Sequence, residues 1–507
     1  MKEVIVSTGP LSLEDVLDVA RFGAAVRISD AAAEAITKAR GFVDDIARSS
    51  VPVYGVSTGF GALASRSIPH ELRAQLQKSL VRSHAAGSGN PVEKEVVRAL
   101  MVLRLSTLAT GHSGVRLETA EAIADLLNAG LTPVVREYGS LGCSGDLAPL
   151  SHCALALMGE GTVYDNGIER PTAEALAEHG LNPIELQEKE GLALINGTDG
   201  MLGMLVMAIH DLQNLIANAD LAAAMSIEGL LGTDQVLTAD LHALRPHPGQ
   251  ATSAANMAQI LEGSGIIASH RENCDKVQDA YSLRCTPQVH GAFRDTLDHA
   301  ITVANRELAS AIDNPSVMND GRVRSHGNFH GAPLAYVLDF LAIVIADLAS
   351  ISERRTDRFL DPSRNSGLPA FLADDPGVDS GHMIAQYTQA AIVSELKRLA
   401  VPASVDSIPS SAMQEDHVSM GWSAARKLRR AVDGLTRVVA IEILTAARGL
   451  DLRAPLTTSA TTGHAVAVLR ESVQGPGPDR FLSPEIEKAV ELVSEGAFVH
   501  SPDRVLV

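Results

Sequence analysis

The run Gly142-Cys143-Ser144-Gly145-Asp146 places a small hydroxyl side chain between residues that let the backbone fold sharply. Gly139, Gly142 and Gly145 fall within seven residues, and Pro149 stands where a first helical residue would, ahead of Cys153-Ala154-Leu155-Ala156-Leu157. Ser144 is thus predicted just before a helix N-terminus, whose free amides and positive dipole end favour negative charge. Besides a plain tight turn, two chemistries fit. A nucleophilic serine is one, although the run lacks the second glycine of G-x-S-x-G and sets an acid at position 146. The other is chemistry of the backbone itself. If the Gly145 nitrogen attacks the Cys143 carbonyl and two waters leave, one of them from the Ser144 side chain, a five-membered ring with an exocyclic methylene results. That is a carbon electrophile no ordinary side chain supplies. Glycine leaves the nitrogen unhindered, serine provides the departing hydroxyl, and a strained turn brings the two groups together.

The elements that must hold this segment read mainly as helices. Ser12 and Asp15 form a capping box that opens a short helix, which Gly23 can stop. Thr119 is expected to open another, ending at Asn128-Ala129-Gly130. Leu202, Leu205, Ile209, Leu212, Ile216, Ala219 and Ala223 recur at spacings of three and four, as do Trp422, Ala425, Leu428, Val432, Leu435, Val439 and Ile443. With 289–312, 334–351 and 383–399, these predict about five long helices. The expected fold is all-α: an elongated bundle of long helices over 191–507, with a smaller, loop-rich helical part over 1–190 that carries the tripeptide and the Tyr54 loop.

The chain has 507 residues, 42 Lys plus Arg and 61 Asp plus Glu, a formal charge of −19. An acidic chain without a basic run is a poor partner for nucleic acid or anionic lipid. The apolar stretch 334–351 is broken by Asp339 and Asp347, which fits a buried helix better than a bilayer span. No secretory signal is expected at the start, and the predicted location is cytoplasmic. Cys143, Cys153, Cys274 and Cys285 make neither a disulfide framework nor a Cys-x-x-Cys site. His326 and His330 lie at i, i+4, but the neighbouring Gly327 and Gly331 argue for a loop, so no metal is expected.

The tripeptide segment resembles the signature of the aromatic amino acid ammonia-lyase family. So do Tyr54-Gly55-Val56-Ser57-Thr58-Gly59-Phe60-Gly61, Leu194-Ile195-Asn196-Gly197-Thr198, Gln278-Asp279-Ala280-Tyr281-Ser282-Leu283-Arg284, Gly327-Asn328-Phe329-His330 and Gln414-Glu415-Asp416-His417. These motifs extend over nearly the whole chain in the family's order. The resemblance implies a 4-methylideneimidazole-5-one group (MIO) formed from Cys143-Ser144-Gly145, with no metal and no nucleotide. It also implies Tyr54 as base, Tyr281 near the prosthetic group, and Arg284 on the substrate carboxylate, where its fork binds bidentately. Asn196 would contact the ring or the substrate carboxylate, Phe329 would stand behind the ring, Gln278 would be a polar neighbour, and Asp146 would assist cyclisation. A homotetramer with each site lined by several subunits is implied as well.

Two positions bear on the substrate. Ser83-His84-Ala85-Ala86-Gly87 resembles the histidine-using branch, and Glu415 resembles that branch's carboxylate, where relatives using phenylalanine or tyrosine carry an amide. A carboxylate pairs with an imidazole or an ammonium but would lack a partner beside a benzene ring. The expected reaction is loss of ammonia from L-histidine to give trans-urocanate. The alternative is a tyrosine or phenylalanine ammonia-lyase, or a 2,3-aminomutase, with the same prosthetic group. Cys143 stands where alanine is commonest in the family, and Asp199, Thr286, His290 and His382 also depart from its pattern. The Gly-Ser-Ser-x-Met-Pro signature of the fumarase and argininosuccinate-lyase type is missing, and a non-catalytic helical scaffold predicts an unmodified tripeptide.

Overall fold

A computed structural model describes residues 2–48, 53–59, 61–63, 65–272, 274, 276–501 and 504–505. Phe60 of the Tyr54 motif lies outside them. Helices take up 58% of the chain, and the strands are few and short. The largest sheet among the described residues has three strands, Thr132–Pro133, Thr162–Asp165 and Ile168–Pro171, paired antiparallel. The fold is therefore mainly α, as the periodicity predicts.

Local signals explain the element ends. The Asp15 amide donates to Ser12 Oγ at 3.1 Å while the Ser12 amide donates to Asp15 Oδ2 at 3.0 Å, so a capping box opens the helix Leu13–Ala20. Thr119 does not open its helix. That element runs Leu117–Asn128, and the Thr119 hydroxyl instead donates to the buried Glu190 carboxylate at 2.7 Å. A tertiary partner outcompetes the capping role that sequence alone suggests. The long helices are Asp199–Gly229, Thr286–Leu308, Ala332–Leu360, Met383–Leu399 and Gly421–Asp451. Their apolar stripes are core: Leu205, Leu212, Leu428, Leu435 and Val439 are fully buried.

The chain divides into two compact units. One gathers Met1–Met207, Ile301–Asp339 and Pro402–Arg426; the other gathers Ala208–Ala300, Phe340–Val401 and Lys427–Val507. The second unit buries charge among its helices. Arg355 Nε donates to Glu442 Oε1 at 2.5 Å with neither side chain exposed, and His290 Nδ1 lies 2.7 Å from Asp220 Oδ1. Asp199–Gly229 and Ala332–Leu360 are long and apolar enough to cross a bilayer, yet 78% and 61% of their apolar windows are buried inside the fold. The first also buries Asp220 and Glu228, each satisfied by neighbouring side chains, as suits a core helix.

Candidate active site

The tripeptide lies in the first unit, on the loop between the strand Arg136–Tyr138 and the helix Leu147–Leu157. Ser140 organises the approach: its Oγ accepts from the Gly142 amide (3.1 Å) and donates to Asp146 Oδ1 (3.0 Å). On one side, Ser419 Oγ donates to the Gly142 carbonyl at 3.0 Å and the Met420 amide donates to the Leu141 carbonyl at 3.0 Å. Below them the buried Trp422 Nε1 donates to the Glu137 carbonyl at 2.7 Å. On the other side, the Asp146 amide donates to the Gly197 carbonyl at 2.7 Å. The loop is thus clamped between two segments distant in sequence.

Asp146 is fully buried and gives its own helix no side-chain cap. Its Oδ2 accepts from the Met201 amide at 2.9 Å, in the first turn of Asp199–Gly229, so the carboxyl caps a neighbouring helix. Burial pushes its pKa up to about 7, against the pull of the Met201 and Ser140 hydrogen bonds.

Ser144 opens onto a cavity of about 700 Å³ that Tyr54, His84, Asn196, Asn314 and Glu415 also line. His84 Nδ1 lies 2.9 Å from the Leu80 carbonyl, which can only accept, so that nitrogen is the donor of the pair. Asn196 is the C-cap of the helix Glu190–Ile195 rather than the N-cap of the next helix. Its Nδ2 donates to the Asn314 carbonyl at 2.8 Å, while its buried Oδ1 has no partner among the described residues. The Asn196 carbonyl accepts from Arg104 Nη1 at 2.9 Å, and Arg104 Nη2 donates to the Ile312 carbonyl at 2.7 Å. Tyr54 Oη accepts from the Gly61 amide at 3.3 Å; burial and the nearby Glu415 charge raise its pKa. Burial, with Glu415 alongside, pushes the Cys143 thiol up to about 12, so it remains protonated beside that carboxylate.

The remaining expected residues lie elsewhere. Phe329 is half-buried and does not line this cavity. Gln278 and Arg284 line a separate cavity of about 400 Å³ within the second unit, where the Arg284 guanidinium stands 4.6 Å from the centre of the Tyr281 ring. Tyr281 is 71% exposed. His326 Nε2 is 2.7 Å from Ser316 Oγ, and His330 stacks on His417 at 5.6 Å. Sequence reasoning missed Ser140, Arg104, Asn314 and Ser419. Of these only Ser140, inside the glycine-rich run, carried a local signal.

The residues present fit a ring built from the tripeptide. Gly145 has φ +79°, and a Cβ there would lie 2.0 Å from the Gly197 carbonyl oxygen, so no other residue fits the turn that brings its nitrogen round. Asn196, whose buried Oδ1 has no hydrogen-bond partner among the described residues, lines the same cavity as Ser144.

Residues 11–471 match the family model described as aromatic amino acid lyase. The chain is 65% identical to a histidine ammonia-lyase of Streptomyces griseus, covering 100% of this chain and 99% of that one. It is 64% identical to the histidine ammonia-lyase of Streptomyces avermitilis, with 100% and 99% covered. Among solved structures, histidine ammonia-lyase from Trypanosoma cruzi superposes with a TM-score of 0.90 at 40% identity, covering 98% of this chain and 94% of that one. Tyrosine aminomutase from Streptomyces globisporus gives 0.93 at 38% identity, covering 98% and 97%. The chain belongs to the aromatic amino acid lyase family, whose members depend on MIO.

Proposed function

We propose that this protein is a carbon–nitrogen lyase that eliminates ammonia from L-histidine to give trans-urocanate. The observation that carries the reading is the convergence of Tyr54, His84, Asn196 and Glu415 on the cavity into which Ser144 opens. In this reading MIO forms from the chain itself: the Gly145 nitrogen bonds the Cys143 carbonyl carbon and two waters leave, one carrying the Ser144 hydroxyl. Built from Cys143, Ser144 and Gly145, the group would supply at this position a carbon electrophile that no ordinary side chain offers. No metal and no nucleotide take part.

The chain's own residues do the rest. Tyr54 removes the β-hydrogen as its phenolate; burial and Glu415 oppose that charge while the Gly61 amide favours it, so the fraction present as base rises with pH. The Glu415 carboxylate, with His84 in the same cavity, is an acceptor for an imidazole N–H, and a benzene ring offers that carboxylate nothing. Asn196 contacts the prosthetic ring or the substrate carboxylate. Arg284 binds the substrate carboxylate, and Tyr281, Gln278 and Phe329 complete the surround. Tyr281, Gln278 and Arg284 are supplied by another copy in a homotetramer with shared sites, as the family resemblance implies. The enzyme works in the cytoplasm, on a small amino acid, with neither nucleic acid nor membrane as partner.

Side-by-side assays with histidine, tyrosine and phenylalanine test the reading. Urocanate formation from histidine alone is expected. Coumarate, cinnamate or a β-amino acid as the main product would replace it with the tyrosine- or phenylalanine-using alternative.

A further inference from the structure

We infer that Ser410 is a positioning residue for Glu415, fixing the carboxylate that selects an imidazole substrate; this rests on the reading of Glu415 given above. The two residues are joined three ways. Ser410 N donates to the Glu415 carbonyl at 2.9 Å, Glu415 N donates to the Ser410 carbonyl at 3.3 Å, and Ser410 Oγ donates to Glu415 Oε2 at 3.0 Å. A free glutamate side chain has three rotatable bonds. Here the backbone pairing sets where it starts and the hydroxyl sets where it ends.

The segment they close off is strained. Ser411, Ala412 and Met413 have φ of 51°, 51° and 70°, three successive left-handed residues without a glycine. An L-residue meets a steric cost in that region, and such a run persists only where its surroundings determine it. The Ser410–Glu415 pairing closes its base. Its tip lies against the Tyr54 loop, where a Cβ on Gly61 would stand 2.8 Å from Ser411 Oγ. Ser411, Ala412 and Glu415 all line the Ser144 cavity. The turn therefore presents Glu415 to the substrate from a fixed base, with Oε2 held by Ser410 and the Cys143 thiol beside the same carboxylate.

The test combines steady-state kinetics on histidine with calorimetric titration of urocanate, using Ser410→Ala, Ser410→Thr, Glu415→Gln and the Ser410→Ala/Glu415→Gln double variant. Ser410→Ala should raise KM about tenfold and weaken urocanate binding in parallel, with kcat changed less than about threefold. Ser410→Thr, which keeps the hydroxyl, should return KM to within about twofold of the parent. Glu415→Gln should cost about a hundredfold in kcat/KM, and the double variant should lose no more than Glu415→Gln alone, since Ser410 acts only through Glu415. An unchanged KM in Ser410→Ala, additive losses in the double variant, or failure of threonine to rescue would overturn the inference. So would disappearance of the two-water mass deficit in Ser410→Ala, which would assign Ser410 to ring formation. If Glu415→Gln leaves histidine turnover unchanged, the reading of Glu415 itself fails.

Discussion

A Cβ on Gly145 would stand 2.0 Å from the carbonyl oxygen of Gly197, so the third residue of the tripeptide and the residue after Asn196 approach too closely to admit a side chain at position 145. The hydrogen bond from the Asp146 amide to that same carbonyl, 2.7 Å long, ties the approach. Gly145 is thus constrained twice, by a left-handed φ and by the lack of room, and in the proposed cyclisation its nitrogen is the one that attacks the Cys143 carbonyl.

Gly145→Ala should therefore fail in both folding and maturation. The left-handed strain and the overpacking together amount to about 2–5 kcal/mol. Urea unfolding should show that loss, and intact mass should show no two-water deficit.

Asp146 predicts a pH signature in stability. Its folded pKa, about 7, lies above the value of 3.8 for a free carboxyl. The folded chain therefore holds this proton more tightly than the unfolded chain does. Its stabilising effect is full below about pH 4 and is lost as pH rises towards 7. Urea midpoints for Asp146→Asn should fall less between pH 4 and 7 than those of the parent; equal slopes would contradict the assignment.

Tyr54→Phe keeps the ring and removes the acidic oxygen. We expect kcat to fall by about 10²–10⁴ with KM little changed. Because burial and Glu415 raise the Tyr54 pKa, parent activity should climb on the alkaline side of neutrality, and the residual activity of the variant should not. A pH–rate profile of both proteins decides this.

Arg104 supports the site from behind. It is buried, donates to the Asn196 and Ile312 carbonyls, and stands 3.5 Å from the buried Asp199. Burial raises the Asp199 pKa and Arg104 pulls it down, so Arg104→Met, which removes that pull and leaves the Asn196 and Ile312 carbonyls without their donor, should destabilise the protein by about 3–5 kcal/mol. Chemical denaturation measures it; a change below about 1 kcal/mol would mean that Asp199 is neutral in the fold.

Much of this was legible in the sequence where a local rule governs. Three-and-four spacing marked the long helices, and Met383–Leu399 begins and ends where its apolar pattern does. The capping box at Ser12 formed because both its partners lie within one turn. Thr119 misled because Glu190, 71 residues away, takes its hydroxyl. Tyr54, His84, Ser144, Asn196 and Glu415 were singled out from separate motifs, but only the folded chain puts them around one cavity. Ser410 and Arg104 carried no signal at all. A serine in a loop and an arginine in an apolar helix are ordinary until the carboxylate and the carbonyls they hold are known.

Peptide mass spectrometry across Cys143-Ser144-Gly145 in the purified, active protein tests the central claim most directly. A mass lower than the encoded sequence by two waters, confined to this peptide and abolished together with turnover in Ser144→Ala, is the predicted result. Full turnover from a chain whose tripeptide has its encoded mass would contradict the account.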